Sequence, residues 1–398
     1  MEIKNQSYLR RLNQRAVVDL LSHGGLSYTE IAKSLKLSNT AISKICDELL
    51  EKRILLSEPG ESSGEKGRPP IMLRINPDAG RVAAIDFSTE NTLVCVSDLS
   101  GRILGRKTLG RTFVITRGAL YETVDAIKAL LSADAERQGG AELLTVYIAS
   151  PGSIDEETGC FTEAYRFENA KTLNLCDFYR RELGCTVRVK NDVKLSIEGE
   201  LRYGRLSLST KNALMMYLDA GVGSALMLDG RIYEGNTGSA GEVEKFVTDI
   251  CDEDASVNLA SVLSIPGMVK RLERELKDNP HNPLNDRLEG KDADFALLLE
   301  GCAKRDTICM DIIARAARTL SNLIVNLTGF LDIQTVILNG GIIALGQNFL
   351  GHVQTLVAKS NPRIEISCSS LKERAAIVGA LHLGKILAQN ELLRQPDA

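Results

Sequence analysis

Val82-Ala83-Ala84-Ile85-Asp86-Phe87 and Ala213-Leu214-Met215-Met216-Tyr217-Leu218-Asp219 are the stretches on which the fold turns. Each is an apolar run of strand length that meets an aspartate near its end, the pattern of a strand buried on both faces. After the first, Thr92 to Ser97 forms a second strand, and Asp98-Leu99-Ser100-Gly101 turns the chain into a third beginning Arg102-Ile103. After the second, Ser224 to Leu228 is the next strand, and Asp229-Gly230 turns into Arg231-Ile232. Helical pattern and further strands complete each half: Leu143 to Ala149 and Thr186 to Lys190 in one, Thr335 to Leu338 and Ile364 to Ile366 in the other. Two β-β-β-α-β-α units in tandem predict a duplicated α/β body of two lobes. Loops at corresponding strand ends would face a cleft able to hold a ligand.

Upstream, Ser27 to Ile75 has a different texture. Ser27-Tyr28-Thr29-Glu30 is a capping box and predicts a helix whose buried side carries Ile31 and Leu35. A turn at Lys36-Leu37 leads to Ser38, a cap for a second helix in which Ile42, Ile45 and Leu49 recur at i, i+3 and i+7. Its other face presents Asn39, Thr40, Ser43 and Lys44, and such short polar or basic side chains reach base edges and phosphates from a helix in the major groove. A further helix, about Gln6 to Ser22, comes first, with Leu9, Leu12, Ala16 and Leu20 on one side. Ile54-Leu55-Leu56 and Ile71-Met72-Leu73-Arg74-Ile75 are β-prone and flank a Gly-, Ser- and Pro-rich stretch from Pro59 to Pro70. Together these predict a winged helix-turn-helix. At the wing tip, Gly67-Arg68-Pro69 offers one guanidinium on a narrow extended backbone, a shape suited to an A·T-rich minor groove. A solvated turn at Arg68, and a three-helix protein-interaction module for the head, are the alternatives.

The 398 residues suffice for two or three domains, and 44% hydrophobic with 25% charged residues is ordinary globular composition. No apolar run approaches the roughly 20 residues of a membrane span. Met1-Glu2-Ile3-Lys4-Asn5-Gln6 lacks the apolar segment of a secretory signal. The nine cysteines are scattered, odd in number and without a Cys-x-x-Cys pair, which argues for reduced thiols in the cytoplasm. Through Asn76 the chain carries 12 Lys+Arg against 9 Asp+Glu, a net of +3, and the remainder a net of −7. A mildly basic head on an acidic body suits a DNA-binding module joined to a domain that avoids DNA.

From about Gln6 to its end the chain resembles the repressor branch of the ROK family (repressors, open reading frames and sugar kinases), the branch of the N-acetylglucosamine and xylose repressors. The resemblance rests on Arg68-Pro69, Asn191-Asp192 followed by Gly199-Glu200, Gly241-Glu242, and Asn339-Gly340-Gly341. It implies an α/β fold with an N-terminal winged helix-turn-helix and a two-lobed, duplicated, RNase-H-like body of the actin and hexokinase type, similar to a sugar kinase. The domains expected are 1–76 for the DNA-binding head, 77–190 for the first lobe and 191–398 for the second. The C-terminal helix is expected to pack back on the first lobe.

Kinases of the family use the Asp of the Asn-Asp pair as general base, and bind sugar hydroxyls with that Asn and with the Glu and His of Gly-Glu-x-x-His. They hold ATP phosphates on glycine loops at the start of each repeat. Phosphoryl transfer rests on positioning and charge neutralisation, so those loops decide whether the activity survives. The family's Asp-x-Gly-Gly-Thr stands here as Asp86-Phe87-Ser88-Thr89-Glu90, without glycines and with an added negative charge. Its Gly-Thr-Gly-x-Gly stands as Asp219-Ala220-Gly221-Val222-Gly223, again with a carboxylate of the wrong sign. Asn339-Gly340-Gly341 survives, and suits a tight turn equally well. No catalytic residue and no cofactor are expected. The family's zinc-binding His and cysteines are represented by Gly241-Glu242-Val243-Glu244-Lys245 and by Cys251 alone before Cys302, so no metal is expected either.

What the resemblance leaves is an effector site of Pro151, Gly152, Asn191, Asp192, Glu242 and Lys245. Backbone amides at Pro151-Gly152 can approach a hydroxyl, and paired amide and carboxylate groups fix sugar hydroxyls well. Asp192 also suits the N-cap of the helix that runs through Glu198. Lys245 suits a pair with Glu242 or Glu244 as well as contact with a phosphorylated or acidic sugar. The expected protein is a cytoplasmic, nucleoid-associated transcription regulator, a repressor of carbohydrate-metabolism genes. Two heads of a homodimer would bind a pseudo-palindromic double-stranded operator with A·T-rich flanks, and a sugar in the cleft would change the angle between lobes. Pairing of dimers into a tetramer is left open. The rivals are an active sugar kinase carrying a DNA-binding head, and a regulator answering to a protein such as a sugar-transport component.

Overall fold

The chain separates into two units, Met1–Asn191 with Ala380–Ala398, and Asp192–Gly379. This computed structural model describes residues 2–22, 24–60, 70–88, 91–111, 114–156, 158–163, 167–246, 258–288 and 291–394.

The first unit opens with α1 (Glu2–Leu21), β1 (Leu26–Ser27), α2 (Tyr28–Leu35), α3 (Asn39–Glu51), β2 (Leu55–Pro59) and β3 (Ile71–Ile75). The Ser27 side chain accepts the Glu30 amide, and the Glu30 carboxylate accepts the Ser27 amide at 2.8 Å, so the capping box that starts α2 is present. Lys36 ends α2 in the left-handed region at φ 54°. Ser38 then accepts the Ala41 amide at 3.2 Å and starts α3. Glu48 of α3 takes Arg10 Nε at 2.9 Å and Gln14 Nε2 at 3.0 Å, tying α1 to α3.

That tie selects the covered face of α1. Among the described side chains of α1, Gln14, Val17, Val18 and Leu21 are buried, whereas Leu9 and Leu12 are 52% and 44% exposed. Of the expected Leu9-Leu12-Ala16-Leu20 side, Ala16 is half-buried and Leu20 packs against the core, while Leu9 and Leu12 stay exposed. β2 and β3 pair antiparallel from Leu55↔Ile75 to Pro59↔Ile71, and β1 adds to the other edge of β3. The hairpin tip, 61–69, lies outside the described residues, and Arg68 with it.

The same unit continues as β4 (Arg81–Asp86), β5 (Asn91–Asp98), β6 (Ile103–Arg111), α4 (Arg117–Gln138), β7 (Leu143–Ser150), a short pair β8 (Ser153–Ile154) and β9 (Phe161–Glu163), α5 (Leu175–Leu183) and β10 (Thr186–Asn191). β4, β5 and β6 run antiparallel, β7 joins β4 in parallel and β10 joins β7, giving the order β10-β7-β4-β5-β6. Arg81 is fully buried, and its guanidinium binds Asp134 of α4 at 2.7 Å and the Pro77 carbonyl at 3.0 Å. It clamps the segment that leads out of the head, and removing one partner of such a buried pair costs about 3–5 kcal/mol.

The second unit begins with α6 (Asp192–Tyr203), then β11 (Ala213–Leu218), β12 (Val222–Leu228) and β13 (Arg231–Ile232). A helical stretch follows: α7 (Leu259–Leu263), α8 (Ile265–Asp278), α9 (Asn285–Leu288), α10 (Phe295–Ala303) and α11 (Thr307–Leu331). β14 (Thr335–Asn339), α12 (Gly346–Ser360), β15 (Glu365–Cys368) and α13 (Ala375–Arg394) complete it. Its sheet order, β13-β12-β11-β14-β15, repeats the first: three antiparallel strands, then two added in parallel. The duplication is thus present as topology.

α6 and α13 cross backbone to backbone. A Cβ on Gly199 would lie 2.3 Å from the Ala375 carbonyl, and one on Gly379 2.0 Å from that of Leu195. Beside the crossing, buried Glu200 accepts the Ser369 hydroxyl at 2.6 Å and the amides of Leu371 and Arg205 at 2.9 and 2.6 Å. The Gly199-Glu200 pair therefore has a packing role. From Ala380 onward α13 belongs to the first unit, where Ala388 and Leu392 share one core with Val17, Leu21 and Ile31 of the head and with Val82 and Leu144 of the sheet. Among the described residues no helix is long and apolar enough to cross a membrane.

Candidate functional site

On α3, Ile42, Ile45, Cys46 and Leu49 face the core, which leaves Asn39, Thr40 and Lys44 exposed and Ser43 half-buried. Ser38 is engaged as the cap. A fifth side chain joins this surface: exposed Asp47 takes the Tyr28 hydroxyl at 3.4 Å and the Ser43 hydroxyl at 3.5 Å. Its position seven residues after Thr40, two helical turns, is the signal in the sequence that could have found it.

In the first unit β7 and β10 lie side by side, with Asn191 opposite Ser150. Pro151-Gly152 and Asn191 therefore leave the sheet at the same, carboxyl end, where α/β sheets place ligands. Gly152 sits at φ 89°, a conformation that favours glycine, and its carbonyl accepts Asn191 Nδ2 at 3.2 Å. These three predicted residues come together. Lys190, just before them, is buried and paired with Glu156 at 2.7 Å.

In the second unit Asp192 is the first residue of α6, buried, with Oδ1 accepting the Val193 amide at 2.9 Å. Lys194 was not singled out from sequence. Its side chain is buried, and the ammonium binds the Glu234 carboxylate and, at 2.6 Å, the Gly238 carbonyl. Nothing local in the sequence announces a pair separated by forty positions. The loop held this way to the first turn of α6 leads to Gly241, whose carbonyl accepts the Ser224 hydroxyl at 2.8 Å and amide at 3.1 Å. Glu242 follows, half-buried, so Asp192 and Glu242 stand on segments that Lys194 joins. The Lys245 side chain and Cys251 lie outside the described residues.

The two loops that would carry phosphates hold internal partners. Buried Asp86 accepts the Ser88 amide at 2.8 Å and also the Ser88 hydroxyl, while Thr89 and Glu90 lie outside the described residues. Asp219 Oδ2 accepts the Gly341 amide at 3.2 Å. Gly340 has φ 90°, and a Cβ there would lie 2.5 Å from the Leu218 carbonyl. Gly340 is thus needed for its close approach to the end of β11.

The xylose repressor of Caldicellulosiruptor bescii is 22% identical to this chain, over 95% of the chain and 96% of its own length. The N-acetylglucosamine repressor of Shigella flexneri is 20% identical over 99% and 97%. Among solved structures, a ROK family transcriptional regulator described as a homologue of the E. coli MLC protein superposes with a TM-score of 0.80 at 18% identity, covering 97% of this chain and 98% of that one. A ROK family glucokinase from Streptomyces griseus, in complex with glucose and AMPPNP, superposes with a TM-score of 0.61 at 20% identity, over 76% of this chain and 99% of its own. The repeated sheets therefore have the fold of ROK regulators and sugar kinases. The model of the ROK family matches residues 82–386, and the chain belongs to that family.

Proposed function

We propose that this chain is a sugar-responsive transcriptional repressor in which a kinase-like body serves as the sensor. The observation that carries the proposal is length. Relatives named as repressors correspond to 95% and 99% of the chain, head included, whereas the glucokinase fold stops at 76%. The head, 1–76, is a winged helix-turn-helix that puts Asn39, Thr40, Ser43 and Lys44 into a major groove, with Ser38 starting the helix and Arg68 entering the minor groove. It works as a homodimer on a pseudo-palindromic operator.

A sugar or sugar derivative is the effector, with Pro151, Gly152, Asn191, Asp192, Glu242 and Lys245 as its contacts. Gly152 and Asn191 already meet at a strand end, and Asp192 and Glu242 stand on segments that Lys194 joins through Glu234 and the Gly238 carbonyl. The effector acts by binding one conformation of the chain better than the one competent for DNA. Kinase activity is absent in this reading. A carboxylate on the Gly341 amide takes a donor of the kind that cradles phosphate, and adds negative charge there.

Thermal unfolding with xylose, N-acetylglucosamine and glucose, neutral and phosphorylated, and with Mg-ATP, tests this. One sugar form should raise Tm by mass action, and Mg-ATP should leave it unchanged. ADP formation with any of the sugars would put a kinase in the sensor's place.

A further inference from the structure

We propose that Asp47 reads a cytosine in the major groove and that Tyr28 is its positioning residue; this rests on the DNA-binding reading of the head. Thr40, Ser43, Lys44 and Asp47 stand at i, i+3, i+4 and i+7 of α3, on the side away from Ile42, Ile45, Cys46 and Leu49. Such a stripe is what a recognition helix shows to base edges. A carboxylate there is a selective group, because most of what a duplex presents repels it. Phosphate oxygens, guanine N7 and O6, and thymine O4 are all acceptors or anions, and adenine sets an N7 acceptor beside its amino group. The cytosine N4 amino group is the donor that a carboxylate matches.

The geometry supplies what such a reader needs. Tyr28 packs against the head core, so its hydroxyl is a fixed donor, 3.4 Å from Asp47 Oδ1. The Ser43 hydroxyl holds Oδ2 at 3.5 Å. Burial first, and then the Asp47 charge, push the Tyr28 phenol above its ordinary value of 10.0, and it stays a donor at neutral pH. A carboxylate has about four acceptor positions, so one bond to each oxygen leaves room for a base amino group. Glu48, the next residue, is committed to Arg10 and Gln14 of α1. At 3.4 and 3.5 Å both hydroxyl contacts are long, so they bias Asp47 toward this orientation without locking it.

The test is selection from a randomised duplex library with the full chain and with Asp47→Ala, Asp47→Asn and Tyr28→Phe. The unaltered chain should enrich cytosine at one position per half-site, about tenfold over other bases. Asp47→Ala should flatten that position alone, and Asp47→Asn should move it toward adenine, the base an amide side chain matches. Tyr28→Phe should weaken the cytosine preference and spare the other positions. An unchanged motif from Asp47→Ala, or an equal loss at every position, overturns this assignment while leaving the DNA-binding reading in place. No enrichment by the unaltered chain overturns both.

Discussion

A guanidinium between a glycine and a proline, as at Arg68, can enter a narrow groove without bringing bulk beside it. Arg68→Ala should weaken binding to the selected DNA about tenfold, most with A·T-rich flanks, and should lower the slope of affinity against salt by about one. Fluorescence anisotropy at several salt concentrations checks this, and equal affinities would remove the wing contact. Lys385 makes a second residue-scale case. It is buried on α13, burial pulls its pKa below the ordinary 10.5, and the nearby Asp98 charge offsets part of that. Where folded and unfolded chains both hold the ammonium, its burial opposes folding in full. As pH rises through the lowered value toward 10.5, the folded lysine gives up its proton first and that opposition fades. Urea unfolding from neutral pH upward should therefore show the natural chain gaining stability relative to Lys385→Met. A pH-independent difference between the two would contradict the shift.

Two glycines in helices should respond to alanine with opposite signs. Gly379 has no room, with a Cβ placed 2.0 Å from the Leu195 carbonyl, so Gly379→Ala should cost about 1–3 kcal/mol by overpacking the crossing of α6 and α13. Gly351 in α12 has nothing within 4 Å, so Gly351→Ala should add about 0.5–1 kcal/mol through backbone entropy. Urea midpoints of the two variants check the signs. The elements themselves were largely legible. Continuous apolar runs gave β4, β7 and β11 nearly to the residue, because strands buried on both faces leave few alternatives. Ser27, Glu30 and Ser38 announced α2 and α3 through local chemistry that needs no tertiary partner. The face of α1 was legible only in part, since Leu9 and Leu12 fit a helical spacing as well as Val17 and Leu21 do, and Glu48 on another helix makes the choice. Lys194 with Glu234, and Glu200 with Ser369 and Leu371, escaped for the same reason: their partners are distant in sequence.

At the scale of the whole molecule, one chain joins a head of net charge +3 to an acidic remainder of net −7 built on twice-repeated sheet topology. The head is not an appendage. Its core continues into Val82 and Leu144 of the first sheet and Ala388 and Leu392 of α13, and α13 itself begins in the second unit. The most direct measurement is anisotropy of the full chain on its selected duplex, titrated with xylose, N-acetylglucosamine and glucose in neutral and phosphorylated form, with ADP followed in parallel samples containing Mg-ATP. The account predicts that one sugar form lowers DNA affinity about tenfold or more, the size of an ordinary allosteric coupling, while no ADP appears. DNA affinity indifferent to every sugar, together with sugar-dependent ADP formation, would contradict it.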